Sequence, residues 1–217
     1  MGAVRVGELE WASASRPMAR DGELGDACLV RSVENGMLIA VVDGLGHGPE
    51  AAAAAKRALL TIERSTQMLP APLVLECHRA LQATRGVVMG LALVDVRAEA
   101  LTWIGIGDVR GLLCRVDERG PALSDVRNDP RHDMRHDLMF THNGVVGRSL
   151  PPLRPVTRSL RVGNILILAT DGLRGGFTPE LRGSEPVERI ADDLLQRFAV
   201  ASDDALVLVA RYRGGHA

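Results

Sequence analysis

The run Leu38-Ile39-Ala40-Val41-Val42 reads as a buried strand, yet it ends in Asp43. Gly44-Leu45-Gly46-His47-Gly48 follows with few large side chains, and then Pro49 opens the alanine tract Ala51 to Ala55. An aspartate closing one buried strand is ordinarily a turn residue, because Asp and Gly both favour turns. Here the device recurs. "ILILATDGL" runs an apolar strand into Asp171, and "WIGIGDVRGLL" places Asp108 after a glycine at a bend between two strands. "RDGELGDACLV" puts Asp26 just before a strand, and "ASDDALVLVAR" puts Asp203 and Asp204 just before the last one. Carboxylates brought together repel and resist ionisation unless a cation joins them. Hard divalent ions such as Mg²⁺ and Mn²⁺ take oxygen ligands of this kind, and glycine beside a ligand gives a carbonyl and water access to the ion. The chain has no HExxH, no CxxC pair and no Walker lysine to support a competing scheme.

Strand patterns cover Val4 to Trp11, Ala27 to Val33, Met37 to Val42, Val87 to Val96 and Leu101 to Ile106. Others cover Gly111 to Val116, Val156 to Leu160, Ile165 to Ala169 and Ala205 to Tyr212. Asn35-Gly36 predicts a tight hairpin, and Val162 to Asn164 predicts the turn of another strand pair. One helix starts at Pro49, a residue suited to the first helical position, and its alanines predict close packing on a sheet. A second spans roughly Ala71 to Thr84, with Val74, Cys77 and Leu81 on one face and Gly86 as a stop. A third follows Ser184 as N-cap, with Val187, Ile190, Leu194 and Phe198 at helical spacing. Strands come in hairpin-like groups rather than alternating regularly with helices. The expected class is therefore α+β, with antiparallel sheets and packed helices.

The 217 residues fit one domain. Twenty-six basic and 27 acidic residues give a net charge of −1, so no global field draws the chain to nucleic acid or to an anionic membrane. Two Trp, three Phe and one Tyr are too few for a base-stacking surface. "MGAVRVGELEW" lacks the apolar core of a secretory signal, and no apolar run reaches the length of a spanning helix. Val6 stands where a myristoylation site wants Ser or Thr. Cys28, Cys77 and Cys114, odd in number and far apart, read as small core residues of a cytoplasmic protein.

The set "GDACLV", "VVDGLGHG", "GIGDVRG", "ATDGL" and "SDDALVLVAR", in this order, resembles the metal-dependent serine/threonine protein phosphatases of the PPM family. "DGLGHG" is most similar to the bacterial branch of SpoIIE and RsbX, and the short length to the stressosome phosphatase type within it. The resemblance runs from about Asp26 to Arg211. It implies an α-β-β-α sandwich, two antiparallel sheets face to face with helices outside, over a single domain at 1–217. It implies two Mn²⁺ or Mg²⁺ ions, with a third, weaker one in some members. Carried over by position, Asp43 bridges the two ions and the Gly44 carbonyl binds the first. Asp171 and Asp203 bind the second, Asp26 holds metal-bound water, and Asp108 supports the third.

The implied reaction is attack of a dimetal-activated water on a phosphoserine or phosphothreonine, with no covalent phosphoenzyme. No Cys-x5-Arg loop is present to make one. Family members of the eukaryotic type carry a glutamate where this chain has Gly25, and a histidine where it has Leu45. His47, four residues after Asp43, is the candidate proton donor, with a turn role equally open. Arg20 is the candidate phosphate ligand, although its spacing does not match cleanly.

The implied substrates are phosphorylated STAS-domain proteins of a bacterial stressosome, met by a cytoplasmic monomer without nucleic acid or membrane. Two rivals stand beside this reading. One is a SpoIIE- or RsbU-like phosphatase of an anti-sigma-factor antagonist, and the other is a non-catalytic phosphoprotein-docking module. The dense stretch "RNDPRHDMRHDLMFTHNG" carries His132 and His136, spaced to share a helix face as metal ligands. A solvated, charged connection is the preferred reading, with a role in partner recognition as a minor alternative.

Overall fold

The computed structural model describes residues 4–6, 8–18, 22–115, 136–175 and 185–214. Arg20, His132, Ser184 and residues 215–217 fall outside them.

Two antiparallel sheets form the body. One has five strands in the order β3 (Asp26–Val33), β4 (Gly36–Gly44), β5 (Val87–Asp95), β6 (Ala100–Ile106) and β9 (Val156–Ser159). The other has six, in the order β1 (Val4–Val6), β2 (Leu9–Arg16), β11 (Ala205–Tyr212), β10 (Ile165–Ala169), β7 (Arg110–Cys114) and β8 (His136–Met139). Helices α1 (Pro49–Arg64) and α2 (Pro70–Leu81) pack on the five-stranded sheet, and α3 (Val187–Phe198) packs on the six-stranded one. Among the described residues no helix is long and apolar enough to cross a membrane.

Strand alternation sorts the apolar residues into three layers. Met37, Ile39 and Val41 of β4 enter the layer between the sheets, whereas Leu38, Ala40 and Val42 lie under α1 and α2. Leu166 and Leu168 of β10, with Leu206, Leu208 and Ala210 of β11, enter the same central layer. Ile165, Ile167 and Ala169 of β10, with Ala205, Val207 and Val209 of β11, lie under α3. These strands are apolar on both faces because both faces are covered. The result is the expected α-β-β-α sandwich. Of the alanine tract predicted to pack α1 closely, Ala51, Ala54 and Ala55 are fully buried, as is Ala58, while Ala52 is half-buried and Ala53 exposed.

Several local expectations are corrected. The strand predicted over Val4 to Trp11 is two strands, β1 and β2, paired with Val6 opposite Leu9. The continuation of β2 through Ala12-Ser13-Ala14-Ser15 was missed because alanine and serine carry little strand preference. Burial of Ala12 and Ala14 in the α3 layer decides it. Val162 to Asn164 does not close a hairpin, because it passes from β9 in one sheet to β10 in the other. Its shape is held by Arg161 N–H donating to Asn164 Oδ1 at 3.0 Å and by Gly163 N–H donating to the Tyr212 carbonyl at 2.8 Å. His136 opens β8, which pairs with β7, so it is a strand residue and not a helical one, and His132 lies outside the described residues. The first residue of α3 is Val187, with Pro186 at its N-cap position. The predicted hairpin between β3 and β4 is present, turning at Glu34-Asn35. Cys77 and Cys114 are buried, and burial pushes both thiols up to about 12; Cys28 is half-buried, and all three are free.

Candidate metal centre

The central layer ends in polar groups at one edge of the sandwich. Asp43 follows Met37, Ile39 and Val41 in the alternation of β4. Asp26 of β3 lies directly opposite it in the ladder, and paired residues of neighbouring strands share a face. Thr170 follows Leu166 and Leu168 at the end of β10, and Asp204 precedes Leu206 and Leu208 at the start of β11. The period of two that builds the apolar layer thus continues past its end with carboxylates and a hydroxyl from both sheets.

Turns add the remaining groups. Asp108 lies on the crossing from β6 to β7, which passes from one sheet to the other, and Asp171 lies in the turn after β10. One carboxylate oxygen from each of Asp43, Asp108 and Asp171 falls within 4.8 Å of the other two. Asp43 is half-buried, and Asp108 and Asp171 are exposed. Asp26 and Asp203 stand outside this trio but act on it through their charge. Asp203 is half-buried, and its Oδ1 accepts the N–H of Asp204 at 2.9 Å.

Burial and mutual repulsion set the proton affinities. Burial pushes the Asp43 carboxyl up to about 9, helped by the charges of Asp26, Asp171, Asp108 and Asp203. Asp26 is pushed up to about 7, again mainly by burial; the Thr170 hydroxyl opposes the rise, and Asp204, Asp171 and Asp203 add to it. Asp171 is raised by burial and then by Asp108 and Asp203, while Arg110 and the N–H of Gly172 oppose the rise. A divalent cation would relieve all three at once, and an all-carboxylate donor set suits Mg²⁺ or Mn²⁺. The residues therefore fit the ions that the sequence suggests.

Gly44 and Gly172 also have a packing role. A Cβ on Gly44 would meet the Ala51 carbonyl oxygen at 2.1 Å, and one on Gly172 would meet the Asp204 carbonyl oxygen at 1.8 Å. Both glycines let backbone pack against backbone, which sets the strand ends beside α1 and β11. His47 is exposed in the turn between β4 and α1.

Three residues have roles that the sequence reading did not assign: Asp204, named there only as an aspartate before the last strand, Thr170 and Arg110. Asp204 is buried, and its carboxylate accepts the N–H of Met18 and of Gly25, each at 2.7 Å, so it ties the segment before β3 to the start of β11. Thr170 is fully buried and donates to Asp26 Oδ2 at 2.7 Å. Arg110 Nη1 donates to the Leu173 carbonyl at 2.7 Å, which anchors the turn carrying Asp171. A signal for the first two was present. Each continues the alternation of its strand onto the face that carries Asp43.

No protein-family model matches the sequence, and no curated protein matches it. Solved structures do. One, from work on the bacterial stressosome as a modular system adapted to control secondary messenger signalling, is 28% identical with a TM-score of 0.79. It covers 94% of this chain and 99% of its own. RsbX in complex with magnesium superposes with a TM-score of 0.77 at 17% identity, covering 97% and 98%. The catalytic domain of the serine/threonine protein phosphatase PstP with two manganese ions gives 0.62 at 18%, covering 94% and 98%.

The fold is that of the PPM phosphatases. In this PPM fold the carboxylates are gathered from strand ends of both sheets, so the site exists only when the sheets are stacked. The PPM neighbours RsbX and PstP hold magnesium and manganese, the ions the donor set here favours.

Proposed function

We propose that this chain is a metal-dependent serine/threonine protein phosphatase. The observation that carries the reading is the convergence of Asp43, Asp108 and Asp171 within 4.8 Å at the end of the central layer. Asp43 would bridge two ions, with the Gly44 carbonyl on the first and Asp171 and Asp203 on the second. Asp108 would support a third. Bound there, such ions supply Lewis acidity, which acidifies water and offsets charge on phosphoryl oxygens. The protein's own part is to hold the carboxylates in place and Asp26 beside the reacting water. His47, exposed in the turn after Asp43, is the candidate proton donor to the leaving oxygen, with a turn role equally open, and Arg20, outside the described residues, is the candidate phosphate ligand. Exposure of Asp108 and Asp171 makes the site shallow and open, which suits a phosphorylated side chain on a protein surface.

The finer reading is that the substrates are phosphorylated STAS-domain proteins of a stressosome. Its support is the 28% identity and near-complete mutual coverage with the stressosome-associated structure, together with the likeness to RsbX. A cytoplasmic, monomeric, single-domain protein is part of the same reading, supported by three free cysteines.

The test is hydrolysis of p-nitrophenyl phosphate with Mn²⁺, Mg²⁺ or EDTA by wild type and Asp43→Ala, followed by a phosphorylated STAS-domain protein. Turnover that needs both metal and Asp43 is expected. Turnover of neither substrate, with no Mn²⁺ bound at millimolar concentration, would replace this reading with the docking module.

A further inference from the structure

Thr170 is the residue immediately before Asp171, and its side chain reaches across the sandwich. Its hydroxyl lies 2.7 Å from Oδ2 of Asp26, a residue of the opposite sheet. The Leu206 N–H donates to the same hydroxyl oxygen at 2.9 Å. A hydroxyl has one proton to give. The alternative acceptor, the Leu206 carbonyl, is farther at 3.4 Å and already receives the Thr170 backbone N–H at 3.1 Å. The proton therefore goes to Asp26. All of these groups are buried, and a β-branched side chain is stiff about its first torsion, so the donor is fixed in direction. With Oδ2 engaged, the Asp26 carboxyl is held in one orientation.

We propose that Thr170 is a positioning residue that fixes Asp26 for its work at the metal centre, by passing the hydrogen bond of a β11 backbone N–H across to a carboxylate of β3. The proposal rests on the metallophosphatase reading. Hydrogen-bond partners of a metal's ligands typically change affinity by about ten- to a hundredfold when lost, and Thr170 acts one step further out, through Asp26 and metal-bound water, so the low end of that range applies. The residue pair Thr170-Asp171 then supplies one metal ligand and the group that orients another acidic residue.

The test is Mn²⁺ titration by calorimetry, with thermal melts of the metal-free protein, on wild type, Thr170→Val, Thr170→Ser and Thr170→Cys. Valine keeps the shape and loses the hydroxyl, serine keeps the hydroxyl, and cysteine offers only a weak donor of similar size. The expected result is Mn²⁺ affinity about tenfold lower for valine and cysteine, with serine near wild type. If valine does not fold, the serine and cysteine pair decides alone. A residue that merely supports the fold would lower the melting temperature without moving Mn²⁺ affinity, and that outcome overturns the proposal. Wild type that binds no Mn²⁺ overturns the metallophosphatase reading and this proposal with it. Wild-type binding abolished by Asp43→Asn but unchanged by Thr170→Val overturns the proposal alone.

Discussion

Asp26 and Asp43 sit directly opposite one another in the antiparallel ladder of β3 and β4, on the face that stacks against the second sheet. Like charges facing each other across a ladder are destabilising, and burial makes it worse. The ladder and the stacked sheets hold the two carboxyls together, and burial and repulsion raise their proton affinities, Asp26 to about 7 and Asp43 to about 9.

That geometry fixes the sign of a pH effect in metal-free protein. Both carboxyls start from 3.8 in an unperturbed setting. Above about pH 4 the unfolded chain has lost these protons while the folded chain keeps them, so stability falls as pH rises. The decline runs from about 4 to 7 for Asp26 and on to about 9 for Asp43. Thermal melts in EDTA at pH 5, 7 and 9 should show falling midpoints. Millimolar Mn²⁺ should restore most of the loss at pH 7 and 9. A flat profile in EDTA would contradict the assignment of these two carboxyls.

Asp43→Asn removes the most strained of these groups. Metal-dependent turnover should fall by roughly a hundredfold or more, since the ions lose their shared ligand. At pH 8 without metal the same variant should be more stable than wild type by about 1 kcal/mol. Paired activity assays and urea melts check both. Near-normal turnover would refute the ligand role.

Gly44→Ala and Gly172→Ala test the close backbone approaches at the strand ends. The added methyl would meet a carbonyl oxygen at 2.1 Å in the first and 1.8 Å in the second, and backbone cannot swing aside as a side chain can. Each should cost about 1–3 kcal/mol in urea unfolding. Were either one neutral, the glycine would not be there for packing.

Asp204→Asn replaces one carboxylate oxygen by an amide N–H₂. The two oxygens each accept a backbone N–H, from Met18 and from Gly25, so one contact becomes donor against donor. A loss of about 2 kcal/mol or more is expected in denaturant melts. Amide exchange at Gly25 should also speed up, because its N–H loses a charged acceptor. Unchanged exchange there would show that the carboxylate does not hold this segment.

Much of this protein is legible in its sequence. Doubly apolar runs such as Ile165 to Ala169 and Ala205 to Tyr212 declare strands covered on both faces, and the aspartates at their margins declare a polar edge. Pro49 and the alanines after it declare a helix that packs closely. These features depend on alternation, propensity and turn chemistry, which act within a few residues. Ala12 to Ser15 escaped because nothing local favours a strand there, and only the cover of α3 makes it one.

The tertiary structure decided which groups meet. Asp43 and Asp108 are 65 positions apart, and Asp108 and Asp171 a further 63, yet their carboxylates converge. Thr170 touches Asp26 across 144 positions, and Asp204 reaches Gly25 across 179. Sequence period places each of these residues on a face of its own strand. Which faces are stacked, and at which register, follows from burying three apolar layers at once. That cooperative packing brings the polar ends of β3, β4, β10 and β11 to a common edge.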